Sequence, residues 1–219
     1  MSEMRTEEEQ VEALKNWWKE NGKSLLLGIA LALAIVFGWN GWQNNQRVTA
    51  ENAGVVYQNL VQAVAIASAP TATDEQRKTA AHLADTLKQD YDGSAYARFG
   101  ALLAARLAAD SGDLDAALQE FDWVLSQKPD AVMEVVTSMR KARVLGAKGE
   151  ADAAIAVLNG LSADSFKVSV EELKGDLYLQ MNQPEEARTA YQSALNAVTQ
   201  QGSRPILNMK LDNLSVEES

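Results

Sequence analysis

The sequence predicts an all-α protein in which one N-terminal transmembrane helix is followed by an α-solenoid of helix pairs and a C-terminal capping helix. Residues 24–46 carry no charged side chain and are mostly apolar. From residue 47 onward, Ala- and Leu-rich helical patterns alternate with turn signals, and one turn-then-helix unit recurs at spacings of 37 and 33 residues. We therefore divide the chain into a tail (1–23), a membrane span (24–46) and a repeat domain (47–219).

The span is long and apolar enough to cross a bilayer. At about 1.5 Å per residue, the stretch from Trp18 to Trp39 measures about 31 Å, close to the roughly 30 Å of a hydrocarbon core. Together with Trp17 and Trp42, these residues place indole rings at both ends, as in an aromatic belt. A buried helix of a soluble protein would not need apolar side chains on every face, so we expect membrane insertion.

The charges beside the span predict its orientation. Three lysines precede it within residues 15–23, and only Arg47 follows it closely. The positive-inside rule therefore places the N-terminus in the cytoplasm and residues 47–219 on the other side of the membrane. A cleaved signal peptide, with residues 48–50 as the cleavage site, is the alternative, but the long N-terminal region carries a run of glutamates at residues 7–9.

Composition excludes several classes of function. The net charge is −10, of which residues 1–23 contribute −2 (4 basic, 6 acidic) and residues 47–219 contribute −8 (16 basic, 24 acidic). No basic cluster is available for the phosphates of a nucleic acid. The chain has no cysteine and one histidine, His82, which removes thiolate catalysis and most zinc sites. We expect no catalytic residue, no cofactor and no metal site, and hence a binding function.

The cytoplasmic tail is predicted to hold one short helix. Thr6 and Glu9 have the spacing of a capping box, and Asn21-Gly22 is a stop signal, so we expect a helix over residues 7–20. Its apolar residues recur at i, i+3 and i+7, which gives it one apolar side that would rest on the membrane interface or on a partner. A solvated tail without such a contact is the alternative.

Small residues form a ridge along the span. Ala30, Ala34 and Gly38 recur every four residues and therefore lie on one side of the helix. Such ridges let another membrane helix approach closely, and we predict lateral docking there. Ala and Gly are also common in membrane helices in general, so a helix that docks nothing is the alternative.

The repeat domain contains three copies of one unit. Ala117, Ala154 and Ala187 are equivalent positions at the start of the second helix of each copy. Four residues after each comes a large apolar residue, and twelve before each comes a small one, as expected where two antiparallel helices pack closely. The large residues are Phe121, Leu158 and Tyr191, and the small ones are Ala105, Ala142 and Gly175.

This spacing resembles that of the tetratricopeptide repeat, a helix pair of about 34 residues. A further pair, over residues 51–68 and 74–90, is interpreted as a divergent N-terminal repeat, whose second helix is opened by a capping box from Thr73 to Gln76. Ser203 as a cap and Pro205 as the first residue predict a final helix to about residue 214. That helix should cover the exposed end of the last repeat.

The resemblance to tetratricopeptide repeats also implies a binding surface. In such stacks the first helix of each pair lines a concave groove. The implied groove residues are Phe99, Leu102 and Arg106 in the first unit, Val136, Met139 and Arg143 in the second, and Glu172, Asp176 and Leu179 in the third. The alternative is that several of them pack between repeats, particularly Val136 and Leu179.

The whole chain resembles one bacterial family. The stretches 9–15 and 20–23, the single span, the degenerate repeats and the stretch 208–214 are similar to the YfgM family of Gram-negative bacteria. The resemblance implies a single-pass inner-membrane protein with a periplasmic tetratricopeptide-like domain that acts as an ancillary subunit of the SecYEG translocon. It also implies pairing with the membrane-anchored chaperone PpiD and handover of unfolded client proteins to periplasmic chaperones.

Two other functions remain open at this point. The family resemblance also allows a regulatory role, in which residues 1–23 restrain a cytoplasmic stress-response regulator. A hydrolase or isomerase would need an acid-base pair with perturbed pKa values in a pocket, and the sequence offers no candidate for such a pair.

Overall fold

The computed structural model describes residues 7–198 and 204–216. Within these ranges it contains nine α-helices, one short 3₁₀ helix (Asp164–Phe166) and no β-strand, so the predicted all-α class is confirmed. The α-helices are α1 (Glu7–Ala67), α2 (Asp74–Asp90), α3 (Ala95–Asp110), α4 (Leu114–Ser126), α5 (Ala131–Ala147), α6 (Ala151–Asn159), α7 (Lys167–Gln180), α8 (Pro184–Asn196) and α9 (Pro205–Val216).

The chain divides into two compact units. The first ends at Asn52 and the second begins at Ala53, so that α1 contributes residues to both. The described part of the first unit is helical throughout, from Glu7 onward. It holds the apolar stretch, which is the one candidate membrane span among the described residues, and the side chains of that stretch are exposed on all sides.

The predicted end of the tail helix at Asn21-Gly22 is wrong, since α1 continues through both residues. Gly22 does not adopt the positive φ that ends a helix. The side-chain amide of Asn21 donates a hydrogen bond to the Trp17 carbonyl (3.1 Å). A Cβ on Gly22 would lie 3.1 Å from the Trp18 ring, so that ring packs over the glycine and covers the helix backbone.

The proposed caps at Thr6 and Ser203 lie outside the described residues.

The second unit is a stack of helix pairs, α3 with α4, α5 with α6 and α7 with α8. Residues 53–67 of α1 and helix α2 form the preceding pair, and their apolar side chains share one core cluster with α3. The capping box that opens α2 is present as predicted. The Gln76 backbone N–H donates to Thr73 Oγ1 (3.3 Å), and the Thr73 backbone N–H donates to Gln76 Oε1 (2.8 Å).

Three connections between paired helices share one turn. Gly112, Gly149 and Asn182 occupy equivalent positions and have φ values of 83°, 88° and 56°. In each turn the following N–H donates to the carbonyl five residues back, as in a Schellman motif. These bonds join Asp113 to Ala108, Glu150 to Leu145 and Gln183 to Tyr178, each at 2.9 Å. Glycine, and to a lesser degree asparagine, adopts this left-handed conformation at low cost, so the sequence specifies where each first helix ends.

The predicted repeat register is confirmed by burial. All five alanines at the predicted contact positions are fully buried, namely Ala105, Ala117, Ala142, Ala154 and Ala187. The large residue of each copy, Phe121, Leu158 or Tyr191, is buried as well. In the third pair, a Cβ placed on Gly175 would lie 2.3 Å from Tyr191 Cε1. Only a glycine lets α7 and α8 approach this closely.

The final helix covers the end of the stack, as predicted. Leu207 and Leu214 of α9 are buried against Ala187, Tyr191 and Ala194 of α8. The Arg188 guanidinium donates a hydrogen bond to the Leu214 carbonyl (3.3 Å). Apolar side chains of α8 that would otherwise face water are therefore enclosed.

The close contact at Gly175 predicts a large effect of one substitution. Gly175→Val should destabilise the fold by about 1–3 kcal/mol, because the new side chain displaces the Tyr191 ring from a filled core. Gly160→Val is the matched control: Gly160 has an ordinary φ of −79°, and a Cβ there comes no closer than 3.6 Å to another atom. Urea unfolding of the detergent-solubilised chain, followed by circular dichroism, measures both. Equal losses would show that the register is wrong.

Candidate functional site

An open groove with a volume of about 1010 Å³ lies along the first helices of the first two repeats. Most of its lining comes from α3 and α5, with single residues from α1 and α4 and the cap residue of α5. The lining residues are Tyr57, Phe99, Leu102, Leu103, Arg106, Phe121, Asp130, Val132, Met133, Val136, Arg140, Arg143 and Val144. This surface is called the groove below.

Helix geometry aligns the groove residues. Phe99 and Arg106 are seven residues apart on α3, and Val136, Arg140 and Arg143 are four and three apart on α5, so each set faces one side of its helix. The α3–α4 and α4–α5 connections are short, as is usual for antiparallel neighbours. Because α4 runs opposite to both α3 and α5, these two helices run in the same direction. Their N-terminal halves therefore lie side by side, as do their C-terminal halves.

One end of the groove is aromatic. The ring centroid of Tyr57 lies 6.4 Å from that of Phe99 and 5.4 Å from that of Tyr96. Phe99 is 43% exposed although it lies against another ring, so part of its face is open to a ligand. Val132, at the N-terminal end of α5, is exposed as well. An apolar side chain of a ligand could be buried here.

The other end is basic. Arg106 Nε lies 3.4 Å from Asp110 Oδ2, so this arginine has an acidic neighbour on its own helix. Arg140 and Arg143 have no hydrogen bond or ion pair within residues 7–198 and 204–216. The carboxylate of Asp130 accepts the Met133 backbone N–H (2.9 Å) and caps α5. Two guanidinium groups of α5 are thus available to an acidic ligand.

The structure brings together five of the predicted groove residues, Phe99, Leu102, Arg106, Val136 and Arg143. Met139 does not line the groove. Its side chain is 6% exposed and packs in the core cluster shared by α5, α6 and α7. Arg140, the next residue, lines the groove instead and was missed. The spacing of four from Val136 and three to Arg143 is the signal that could have identified it.

The predicted groove residues of the third unit lie elsewhere. Lys210 Nζ of α9 lies 2.9 Å from Glu172 Oε1 and 2.6 Å from Asp176 Oδ1. The Tyr191 hydroxyl donates to the same Asp176 oxygen (2.7 Å). Leu179 is exposed but does not line the groove. The carboxylates of α7 therefore hold the capping helix in place.

Burial and hydrogen bonding shift the pKa values of this cluster. Burial acts to lower the pKa of Lys210, but hydrogen bonds to Asp176 and Glu172 outweigh that effect and hold its pKa above the ordinary value. Burial, and then the hydrogen bond to Asp176, raises the pKa of the Tyr191 hydroxyl. Lys210 therefore stays charged and Tyr191 stays neutral throughout the neutral range.

The remaining predicted positions are on the surface. Ala30, Ala34 and Gly38 lie on exposed faces of α1, and a Cβ on Gly38 would meet no atom within 4 Å. His82 is exposed on α2. Among the described residues, no group of three or more His, Cys, Asp or Glu side chains could hold a metal ion. The chemistry that the groove offers is binding, through apolar contact and charged hydrogen bonds.

The chain is similar to known proteins along nearly its whole length. A family model described as a tetratricopeptide repeat-like domain matches residues 15–216. A Haemophilus influenzae protein named "Ancillary SecYEG translocon subunit" is 30% identical over 95% of this chain and 97% of its own length. Proteins of the same name from Escherichia coli (29% identical, 96% and 97% covered) and Neisseria gonorrhoeae (31% identical, 95% and 97% covered) are similar to the same extent.

The Lys210 cluster predicts a pH-dependent effect. Because its pKa is raised in the folded state, Lys210 stabilises the fold fully below its ordinary pKa of 10.5, and this stabilisation is lost as the pH rises through the folded-state value. Lys210→Met should therefore cost about 1–2 kcal/mol of unfolding free energy at pH 8. The difference from wild type should shrink above pH 10.5.

Urea unfolding at pH 8 and pH 11 measures this difference. Lys78→Met is the control, since Lys78 is exposed and has no ion pair among the described residues. It should match wild type at both pH values. A Lys210→Met deficit that is the same at pH 8 and pH 11 would contradict the assignment.

Proposed function

The chain belongs to the tetratricopeptide repeat-like family of ancillary SecYEG translocon subunits, the YfgM family, and from this we propose that it is a non-enzymatic inner-membrane adaptor of the Sec translocon. The observation that carries the proposal is the extent of the match. Residues 15–216 include the apolar stretch, every helix pair and α9, so the match is not confined to a widespread repeat.

The apolar stretch supports the localisation that we propose. A single span at residues 24–46 would make this a single-pass inner-membrane protein. The lysines that precede the span favour a cytoplasmic N-terminus and a periplasmic repeat domain over residues 47–219. In that orientation the groove is on the side of the membrane where translocated chains emerge.

The groove supports a role in protein binding. It combines open apolar area with two arginines that lack partners among the described residues, and peptides bind surfaces of this kind through anchors and charged hydrogen bonds. We propose that Phe99, Leu102, Arg106, Val136 and Arg143 take part in binding. The proposed partner is a membrane-anchored periplasmic chaperone of the PpiD type, with which the protein would hand translocated clients onward.

Docking within the membrane would use the ridge of Ala30, Ala34 and Gly38. Successive residues of a helix are rotated by about 100°, so Ala32 lies roughly 160° away from Ala34, on the opposite side. A larger side chain would therefore obstruct a neighbouring helix at Ala34 and leave that contact untouched at Ala32.

Recovery of SecY from membranes tests the adaptor role. The tagged full chain, solubilised in mild detergent, should recover SecY well above a tagged single-pass inner-membrane protein expressed at the same level. Ala34→Leu should lower the recovery about tenfold, which corresponds to a loss of about 1.4 kcal/mol, because the larger side chain holds a neighbouring helix away from the ridge. Ala32→Leu should leave it unchanged.

The two parts of this test fail separately. Equal recovery with Ala34→Leu and Ala32→Leu would remove the ridge as the docking site and leave the adaptor role standing. Recovery of SecY by wild type that does not exceed that of the unrelated membrane protein, even after crosslinking in native membranes, would contradict the adaptor role.

A further inference from the structure

The two ends of the groove differ in chemistry along both of its helices. On α3, Phe99 precedes Arg106, and on α5, Val132 and Val136 precede Arg140 and Arg143. Because α3 and α5 run in the same direction, the apolar residues collect at one end and the arginines at the other. A ligand that fills the groove therefore meets an aromatic end and a cationic end in a fixed order.

The cationic end is unusual for this domain. Residues 47–219 carry a net charge of −8 (16 basic, 24 acidic). Two lysines on other faces of the stack are paired: Lys88 Nζ lies 2.6 Å from Glu120 Oε1, and Lys148 Nζ lies 2.7 Å from Asp115 Oδ1. Arg140 and Arg143, only three residues apart, repel each other and have no acidic partner among the described residues. A bound carboxylate would supply what the chain itself does not.

We propose that the groove takes an amphipathic segment of a protein partner, with an aromatic or long aliphatic side chain at one end and two side-chain carboxylates at the other. The carboxylates would pair with Arg140 and Arg143, and the apolar side chain would lie on the open face of Phe99. This inference rests on the proposed adaptor function and names the class of segment that the groove selects.

Helix dimensions set the spacing of such a segment. Seven residues separate Phe99 from Arg106, which corresponds to about 10 Å along the axis of α3 at about 1.5 Å per residue. A helical ligand spans the same length in about seven residues and presents carboxylates for Arg140 and Arg143 at positions three or four apart. Guanidinium groups bind carboxylates through paired hydrogen bonds, which lysines do not reproduce.

Synthetic peptides test the selection directly. Because Phe99 is equivalent to residue 136 in the next repeat, Arg140 and Arg143 lie four and seven residues further along the groove. The probe is therefore a fluorescent helical peptide with one Phe and, four and seven residues away, two Glu; its reverse-order version tests the opposite direction of binding. Matched peptides carry two Gln or two Lys instead. Fluorescence anisotropy with the full chain in nanodiscs gives the affinities. We expect the Glu peptide, in one of the two orders, to bind at least tenfold more tightly than the Gln peptide and the Lys peptide not to bind.

Charge reversal in the protein should reverse the preference. Arg140→Glu/Arg143→Glu should lose at least tenfold in affinity for the Glu peptide and gain binding of the Lys peptide. Both arginines are exposed, so the fold should persist, and a thermal melt checks this. If it does not persist, Arg140→Gln/Arg143→Gln provides the same comparison without added repulsion. Lys78→Glu/Lys167→Glu makes the same charge change at two exposed lysines outside the groove and should keep the wild-type preference.

Three results would overturn the inference. One is equal binding of the Glu, Gln and Lys peptides by wild type. Another is a Glu preference that survives Arg140→Glu/Arg143→Glu. The third is displacement of all peptides by phosphatidylglycerol vesicles but not by phosphatidylcholine vesicles, which would assign the arginines to lipid headgroups. Recovery of SecY by the same preparations separates this inference from the adaptor role: recovery without peptide selectivity overturns the inference alone, and selectivity without recovery overturns the adaptor role alone.

Discussion

The contact between Gly175 and the Tyr191 ring determines how closely α7 and α8 approach each other, and small buried residues, Ala105 and Ala142, occupy the equivalent positions in the other two repeats. A small side chain on the first helix of a pair lets the second helix pack against its backbone. The position of that small side chain along the first helix therefore sets the register of each pair. It also positions the Tyr191 hydroxyl, which donates to Asp176. The same carboxylate pairs with Lys210, so the seating of α9 depends on this contact as well.

Electrostatics then distinguishes one face of the stack from the others. Lys88 pairs with Glu120 and Asp85, which links α2 to α4, and Lys141 pairs with Asp122, which links α5 to α4. Burial acts to lower the pKa of Lys88, but its two hydrogen bonds outweigh that effect and hold the pKa above the ordinary value. These lysines complete contacts inside the fold. Arg140 and Arg143 complete none among the described residues, and they lie beside the apolar lining of the groove, which is why we propose the groove as the partner site.

Local rules predicted most of the fold. The turn residues Gly112 and Gly149 and the capping box at Thr73 act through neighbouring backbone groups, so their effects can be inferred from a short stretch of sequence. Asn21-Gly22 has the composition of a helix end and was expected to end the helix. However, the Asn21 side chain donates to the Trp17 carbonyl and the Trp18 ring covers Gly22, so α1 continues. There the sequence pattern was ambiguous and the contacts of neighbouring turns decided the outcome.

The groove was predicted less completely, for two physical reasons. Repeat alignment assigned position 139 to the groove, yet Met139 packs in the core cluster between α5, α6 and α7, and its neighbour Arg140 lines the groove. Glu172 and Asp176 meet Lys210, which lies 38 and 34 residues later in the chain. Periodicity describes one helix at a time and carries no information about which distant helix covers it. The contacts between α7 and α9 could therefore be identified only from the structure.

We propose that the groove lies on the periplasmic side of the membrane and holds a partner of the translocon. The most direct measurement replaces Phe99 with a photoreactive phenylalanine analogue in the full chain, irradiates native membranes and identifies the adducts by mass spectrometry. Gln119, exposed on α4 outside the groove, is the matched control position. We expect adducts from position 99 to a translocon subunit or to a membrane-anchored periplasmic chaperone, and few from position 119. The same adducts in equal yield from both positions, or none from position 99, would contradict it.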